Sequence, residues 1–141
     1  MVFLLLKQKG IDIQPQLFEK CTIINNLELN ETIESIKQYA SANFNQLKSI
    51  TLPSSMTIIE DGAFLNCETL IEVIVPSSIN MIGDQAFKNC VNLKYFEFSS
   101  SITSIGKSSF KNCKRIAKWN CFDVCCKCRL YRNCSIISEK R

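Results

Sequence analysis

Apolar residues in this chain recur at a fixed step of 23 along most of its length. Phe64, Phe87 and Phe110 share that step, as do Cys67, Cys90 and Cys113 and the asparagines before them, Asn66, Asn89 and Asn112. Ile59, Ile82 and Ile105 keep phase with Met56, Ile79 and Ile102, and Leu70, Leu93 and Ile116 close the units. Between them lie alternating pairs, Ile50/Leu52, Val73/Val75 and Phe96/Phe98. One step back, Leu27/Leu29, Ile33, Ile36, Ala40, Phe44 and Leu47 form a weaker copy, with Ser41 in place of the phenylalanine and Phe44 in place of the cysteine. A further step back gives Leu4/Leu6, Ile13, Phe18, Cys21 and Ile24. An internal repeat of this length marks a stacked architecture, in which one unit cannot bury its apolar face alone and its neighbours do so for it.

Each unit predicts the same elements. Apolar residues at alternate positions in Leu70–Pro76 suit a short strand with Val73 and Val75 inward. Pro76 lacks an amide hydrogen and ends it, and Ser77-Ser78 makes the turn. Ile79 and Ile82 point back inside, and Gly83 and Gly106 mark a bend where glycine relieves backbone strain. The spacing of Ala86, Phe87 and Cys90 predicts a short helical turn over Asp84–Cys90. Strands of successive units are expected to pair as a parallel sheet on one face.

The segments Leu52–Leu70 (LPSSMTIIEDGAFLNCETL), VPSSINMIGDQAFKNCVNL and FSSSITSIGKSSFKNCKRI resemble the BspA-like leucine-rich repeats of bacterial and protist surface proteins. The resemblance covers 27–116 well and 4–26 loosely. It implies an α/β repeat fold, a leucine-rich-repeat solenoid of short parallel strands with short helical turns and loops. On this reading residues 1–116 form about five coils, the first one or two degenerate, and 117–141 form a divergent, Cys-rich basic segment. The resemblance also implies adhesion or protein binding on cell surfaces.

Composition adds bounds. The 141 residues, 46% apolar, fit one domain with a sizeable core. The longest early apolar run, Val2–Leu6, is far shorter than the roughly 20 residues of a membrane span. Its lysines, Lys7 and Lys9, follow it, whereas a secretory leader carries its charge in front. Neither a signal peptide nor a membrane span is therefore expected, which leaves a cytoplasmic setting open beside the cell surface. The net charge of +4 is uneven: Lys107–Arg141 holds ten Lys/Arg against Asp123 and Glu139, a net +8. No aromatic interleaving or nucleic-acid motif accompanies it, so no nucleic-acid partner is expected.

Chemistry-bearing residues are sparse. The chain has no histidine, no Gly-rich phosphate loop, and no Ser or Cys nucleophile with a recognisable base, so no catalytic residue and no cofactor is assigned. Of nine cysteines, Cys21, Cys67, Cys90 and Cys113 occupy one repeat position, where Phe44 also stands. That exchange predicts buried free thiols acting as small hydrophobes rather than stacked disulfides. Cys121, Cys125, Cys126, Cys128 and Cys134 include a C-x-x-C spacing without a second one, so zinc, disulfides and free thiols all stay open there and no metal site is assigned. Asn66, Asn89 and Asn112 are expected to satisfy loop backbone groups. Asn30-Glu-Thr32 and Asn133-Cys-Ser135 match glycosylation sequons.

The positions between the inward strand residues do not repeat: Asn26/Glu28, Ser49/Thr51, Glu72/Ile74, Tyr95/Glu97 and Lys118/Asn120. Ser49, Thr51, Glu72, Ile74, Tyr95, Glu97, Lys118 and Asn120 are the candidate contact surface, with Ile74 and Tyr95 as anchors. Three uses fit: a protein-binding or adhesive module, self-association through open solenoid ends, and an intracellular interaction scaffold.

Overall fold

A strand of three or four residues cannot hold itself together, so each unit must find its hydrogen-bond partners in the next. The structure, a computed structural model, describes residues 24–116 and the backbone of 3–6. Five strands, β1 (Phe3–Leu6), β2 (Asn26–Leu29), β3 (Ser49–Thr51), β5 (Glu72–Ile74) and β7 (Tyr95–Phe96), pair in that order. Three shorter ones, β4 (Ile58–Ile59), β6 (Met81–Ile82) and β8 (Ser104–Ile105), form a second sheet. All pairings are parallel and in the register of the repeat: Ile50 lies beside Val73 and Val73 beside Phe96. The chain is therefore a solenoid of parallel strands, with three coils in which both sheets are present.

The core is a set of columns running along the stack. Phe64, Phe87 and Phe110 stack face to face, with ring centroids 5.1 and 5.2 Å apart and interplanar angles of 8° and 12°. That spacing is close to the ~4.7–4.9 Å between neighbouring strands, so the coil height itself sets the ring stack. Phe96 meets Phe87 and Phe110 edge-on at 5.2 and 5.0 Å. Ile59, Ile82, Leu70, Leu93, Ala63 and Ala86 are fully buried beside them.

The expected helical turn does not form; no helix occurs among the described residues. Residues 84–89 are consecutive turns instead. Alternate amides point along the stack rather than along the chain: Gln85, Phe87 and Asn89 donate to the carbonyls of Lys107, Ser109 and Lys111 at 3.0, 2.8 and 2.8 Å. Gly62, Phe64 and Asn66 do the same to Asp84, Ala86 and Lys88. A helix would commit every amide to its own coil and leave this face of the stack without a ladder. The zigzag requires two left-handed residues per coil, and both recur: Tyr39, Gly62, Gln85 and Ser108 form one column, Asn43, Asn66, Asn89 and Asn112 the other. Ala86, Phe87 and Cys90 are nevertheless all buried, as their spacing predicted.

Gly83 and Gly106 have a different reason from the one their position suggested. Neither has a positive φ. The preceding coil passes so close that a Cβ on Gly83 would lie 2.6 Å from the Asp61 amide nitrogen, and one on Gly106 would collide with the backbone of Gly83 and Asp84. Glycine here permits close approach rather than an unusual backbone shape.

Truncating the middle ring of the stack tests this packing. Phe87→Ala is expected to cost about 3–5 kcal/mol in denaturant unfolding. A loss well under 1 kcal/mol would place Phe87 outside the core.

Candidate binding surface

The outer face of the five-stranded sheet is built by the alternation within each strand. Buried Leu27, Ile50, Val73 and Phe96 point inward, so their neighbours in sequence project outward. Register sets Asn26, Ser49, Glu72 and Tyr95 in one row across the strands, and Glu28, Thr51 and Ile74 in the next. At the N-terminal side the row is tied to itself: the Ser49 hydroxyl donates to Asn26 Oδ1 at 2.8 Å. Ser49, Thr51 and Glu72 are half-buried. Ile74 and Tyr95 are the most exposed large apolar side chains described, at 52% and 57%. They are diagonal neighbours on adjacent strands, within reach of one another. A concavity of about 380 Å³ lies against this end of the sheet, lined by Glu72, Val73, Ile74, Val75, Lys94, Tyr95, Phe96 and Glu97. The structure thus brings Glu72, Ile74, Tyr95 and Glu97 together, with Ser49 and Thr51 on the adjoining strand. Lys94 joins them without having been singled out by the repeat, and Val75, expected inward, is half-buried and lines the same concavity. Lys118 and Asn120 lie outside the described residues.

The remaining polar repeats serve the coil. Asn43, Asn66, Asn89 and Asn112 form an amide ladder, each side-chain nitrogen donating to the previous Oδ1 at 2.9, 2.7 and 2.6 Å. Their amides bond to each other rather than to loop backbone, which corrects the expectation. Two needs coincide at this position: a left-handed backbone, which Asn tolerates better than most residues, and a partner for a side chain stacked at coil spacing. A second column went unrecognised in the sequence. Ser55, Ser78 and Ser101 donate to the carbonyls of Ile33, Met56 and Ile79 at 2.5, 2.6 and 2.7 Å. The repeated Ser-Ser had read only as a turn.

Cys67, Cys90 and Cys113 are buried free thiols. They act as more than small hydrophobes: each sulfur donates into the preceding coil, to the carbonyls of Ser41, Phe64 and Phe87 at 3.0, 3.1 and 2.9 Å. Burial pushes the Cys67 thiol up to about 12. Cys90 is also raised, by the neighbouring Cys113 thiol and by burial. Thiolates are therefore strongly disfavoured at Cys67 and Cys90. Ser41, standing where later coils carry phenylalanine, is buried with its hydroxyl unpartnered. Among the described residues no three His, Cys, Asp or Glu side chains converge as metal ligands, and no helix is long and apolar enough to cross a membrane. Cys21 and the five C-terminal cysteines lie outside the described residues.

At one edge of the face, the exposed Glu31 carboxylate closes the turn of the following coil. It accepts the Ser54 hydroxyl at 2.6 Å and the amides of Ser54 and Ser55, each at 3.1 Å. The hydroxyl bond foremost, and then the Ser54 amide, hold its pKa below the ordinary 4.5 against a small desolvation.

The model of the BspA type leucine-rich repeat region matches residues 4–117, in six copies. Three bacterial solved structures are similar. A leucine-rich repeat protein of T. pallidum is 25% identical with a TM-score of 0.68, over 82% of this chain and 50% of that one. A leucine-rich cell surface protein of Faecalibacterium prausnitzii is 26% identical with a TM-score of 0.64, over 67% and 25%. A leucine-rich repeat protein of Bacteroides ovatus, 24% identical with a TM-score of 0.60 over 66% and 24%, shows the fold alone. The chain thus spans half or less of the length of these relatives. No curated protein matches it.

Three outcomes follow from these columns. Asn89→Ala is expected to cost about 2–3 kcal/mol, adding a left-handed alanine to the lost ladder bonds, and Asn89→Gly less, since it removes only the bonds. Equal losses in denaturant unfolding would sink the left-handed part of this account. Thiol titration should find Cys67 and Cys90 unreactive in the folded protein and reactive after denaturation; ready reaction in native conditions would contradict their burial. A folded-state pKa lowered below the unfolded one gives stability that is present above 4.5 and lost as pH falls through the folded value. Glu31→Gln should therefore unfold earlier than the parent at neutral pH and match it in acid, and a difference independent of pH would refute the Glu31 contribution.

Proposed function

We propose, from the premise that the chain belongs to the BspA type leucine-rich repeat family, that it is a non-enzymatic protein-binding module whose contact surface is the outer face of its strand sheet. Members of that family are typically protein-interaction modules. The observation that carries the reading is the pair Ile74 and Tyr95. Both are more than half exposed, on adjacent strands, at positions that the coil does not need to be apolar. Exposed aromatic and aliphatic groups framed by polar ones are the usual anchors of a protein contact. Glu72, Glu97 and Lys94 supply that frame, and Ser49 and Thr51 extend the surface toward the N-terminal side.

The finer reading is adhesion at a cell surface. It draws support from the F. prausnitzii relative, described as a leucine-rich cell surface protein. Lys118 and Asn120 would continue the same face if the repeat register runs on past Ile116.

A photo-crosslinking residue at Tyr95, compared with one at exposed Asn80 immediately before β6 of the second sheet, tests the surface directly. A discrete heterologous adduct from Tyr95 alone, weakened by Ile74→Asp, is the expected result. The Ile74→Asp change should move unfolding by no more than about 0.5 kcal/mol, as for other exposed positions. An adduct of twice the chain mass would make the face a self-association surface instead. Equal labelling from both positions, or none, would remove the sheet face from consideration.

A further inference from the structure

Among the described residues, the turns after β2, β3, β5 and β7 hold amides that no backbone carbonyl takes, and these turns differ in how they close them. After β2, the Thr32 amide donates to Asn30 Oδ1 at 3.0 Å. After β7, the Ser101 amide donates to Ser99 Oγ at 3.2 Å. The other two turns carry proline at that place, Pro53 and Pro76, and proline has no side-chain acceptor. The Pro53 turn is closed from one coil back by Glu31, one carboxylate oxygen on the Ser54 amide and the other on the Ser54 hydroxyl and the Ser55 amide. The Pro76 turn has the same Pro-Ser-Ser sequence, but Ser54 stands where that glutamate would have to be. Among the described residues the amides of Ser77 and Ser78 and the Ser77 hydroxyl accordingly find no acceptor. The turn is held in the same way as its neighbour, by Ser78 Oγ on the Met56 carbonyl at 2.6 Å, matching Ser55 Oγ on Ile33 at 2.5 Å.

We infer that the Ser77–Ser78 turn is an oxyanion receptor that takes a carboxylate side chain of the partner protein, as the turn before it takes Glu31. The donors are two backbone amides and a hydroxyl, a set that favours an anion without a cationic side chain. A carboxylate fits better than a phosphate for two reasons. The occupant of the equivalent turn is a carboxylate that uses both oxygens, and Glu72 and Glu97 on the adjoining face oppose a second negative charge. Ser77 lies three residues beyond Ile74, roughly 10 Å along the chain, at the rim of the proposed contact face. The receptor thus gives the partner a chemistry: an acidic residue beside an apolar one. Only that last step rests on the sheet-face reading.

Titrating the full-length, isotopically labelled protein with acetate, followed by amide resonances, tests the turn alone. The Ser77 and Ser78 amides should shift downfield and saturate, ahead of other exposed amides. Glu31→Ala, which removes the occupant, should add the Ser54 and Ser55 amides to the responding set. Ser77→Ala should weaken the response about tenfold, the effect of one hydrogen bond to a charged group, without changing the fold seen in the remaining resonances. Ser77 and Ser78 shifts no larger than those of other exposed amides, or a Glu31→Ala variant that opens no second site, would overturn the proposal. Inorganic phosphate binding more tightly than acetate would overturn the choice of carboxylate. Acetate has no side chain to meet Ile74 or Tyr95, so a failed crosslink at Tyr95 leaves this result standing, and a failed titration leaves the sheet face standing.

Discussion

Everything in this solenoid depends on backbone amides that leave their own coil. On the turn side, alternate amides within residues 39–43, 62–66 and 85–89 donate to carbonyls of the next unit, and on the strand side parallel pairing joins successive coils. A buried amide without an acceptor costs about as much as a lost hydrogen bond, so no coil is stable alone. The ladder also fixes the coil height, and the height decides what can stack. Planar phenylalanine rings, flat amides and thiols tolerate a neighbour of their own kind at that spacing. Branched aliphatic residues fill the places between them.

The columns follow from this constraint and support it in turn. Asparagine at the second left-handed position closes the amide ladder on the outside, while Ser55, Ser78 and Ser101 and the buried thiols each donate to a carbonyl of the preceding coil. The carbonyls that take the thiols already accept one amide; Phe64, for example, accepts the Cys67 amide at 3.3 Å and the Cys90 thiol at 3.1 Å. A carbonyl oxygen has two lone pairs, and the thiol column uses the second, while among the described residues the serine column closes carbonyls that no backbone amide takes. This explains why the cysteine position accepts Phe44 in one coil yet returns to sulfur in the others: the slot is apolar in shape but offers an acceptor.

Much of this was legible in the sequence, and the misses have physical causes. The period gave the strand register, the inward set and the parallel pairing, because burial imposes one residue type per column. It misread Asp84–Cys90 as helical, since Ala86, Phe87 and Cys90 converge equally well on a helix face and on a zigzag of turns. The distinguishing feature is a left-handed backbone at Gln85 and Asn89, and glutamine carries no sign of one. The role of Gly83 was hidden for a related reason: it answers to a neighbouring coil, and nothing within its own coil requires it. The outward strand positions could be placed from alternation alone, whereas the concavity beside them, with Lys94 and Val75 on its wall, depends on how consecutive strands lie.

The proposed contact surface lies where the repeat fails. A residue that recurs from coil to coil is explained by the coil, as Phe87, Cys90 and Asn89 are. Ile74 and Tyr95 are not, since the coils before them carry Thr51 and Ser49 in the same rows. The Pro76 turn belongs with them: it departs from its neighbours only through the glutamate missing one coil back, which no inspection of the turn itself would show. Its open donors follow the strand that carries Ile74, at the same end of the stack as Tyr95. Two independent departures from periodicity therefore fall at one place. A partner that exploited either would meet the other, so the two proposals describe a single partner surface, an acidic residue flanked by an apolar one.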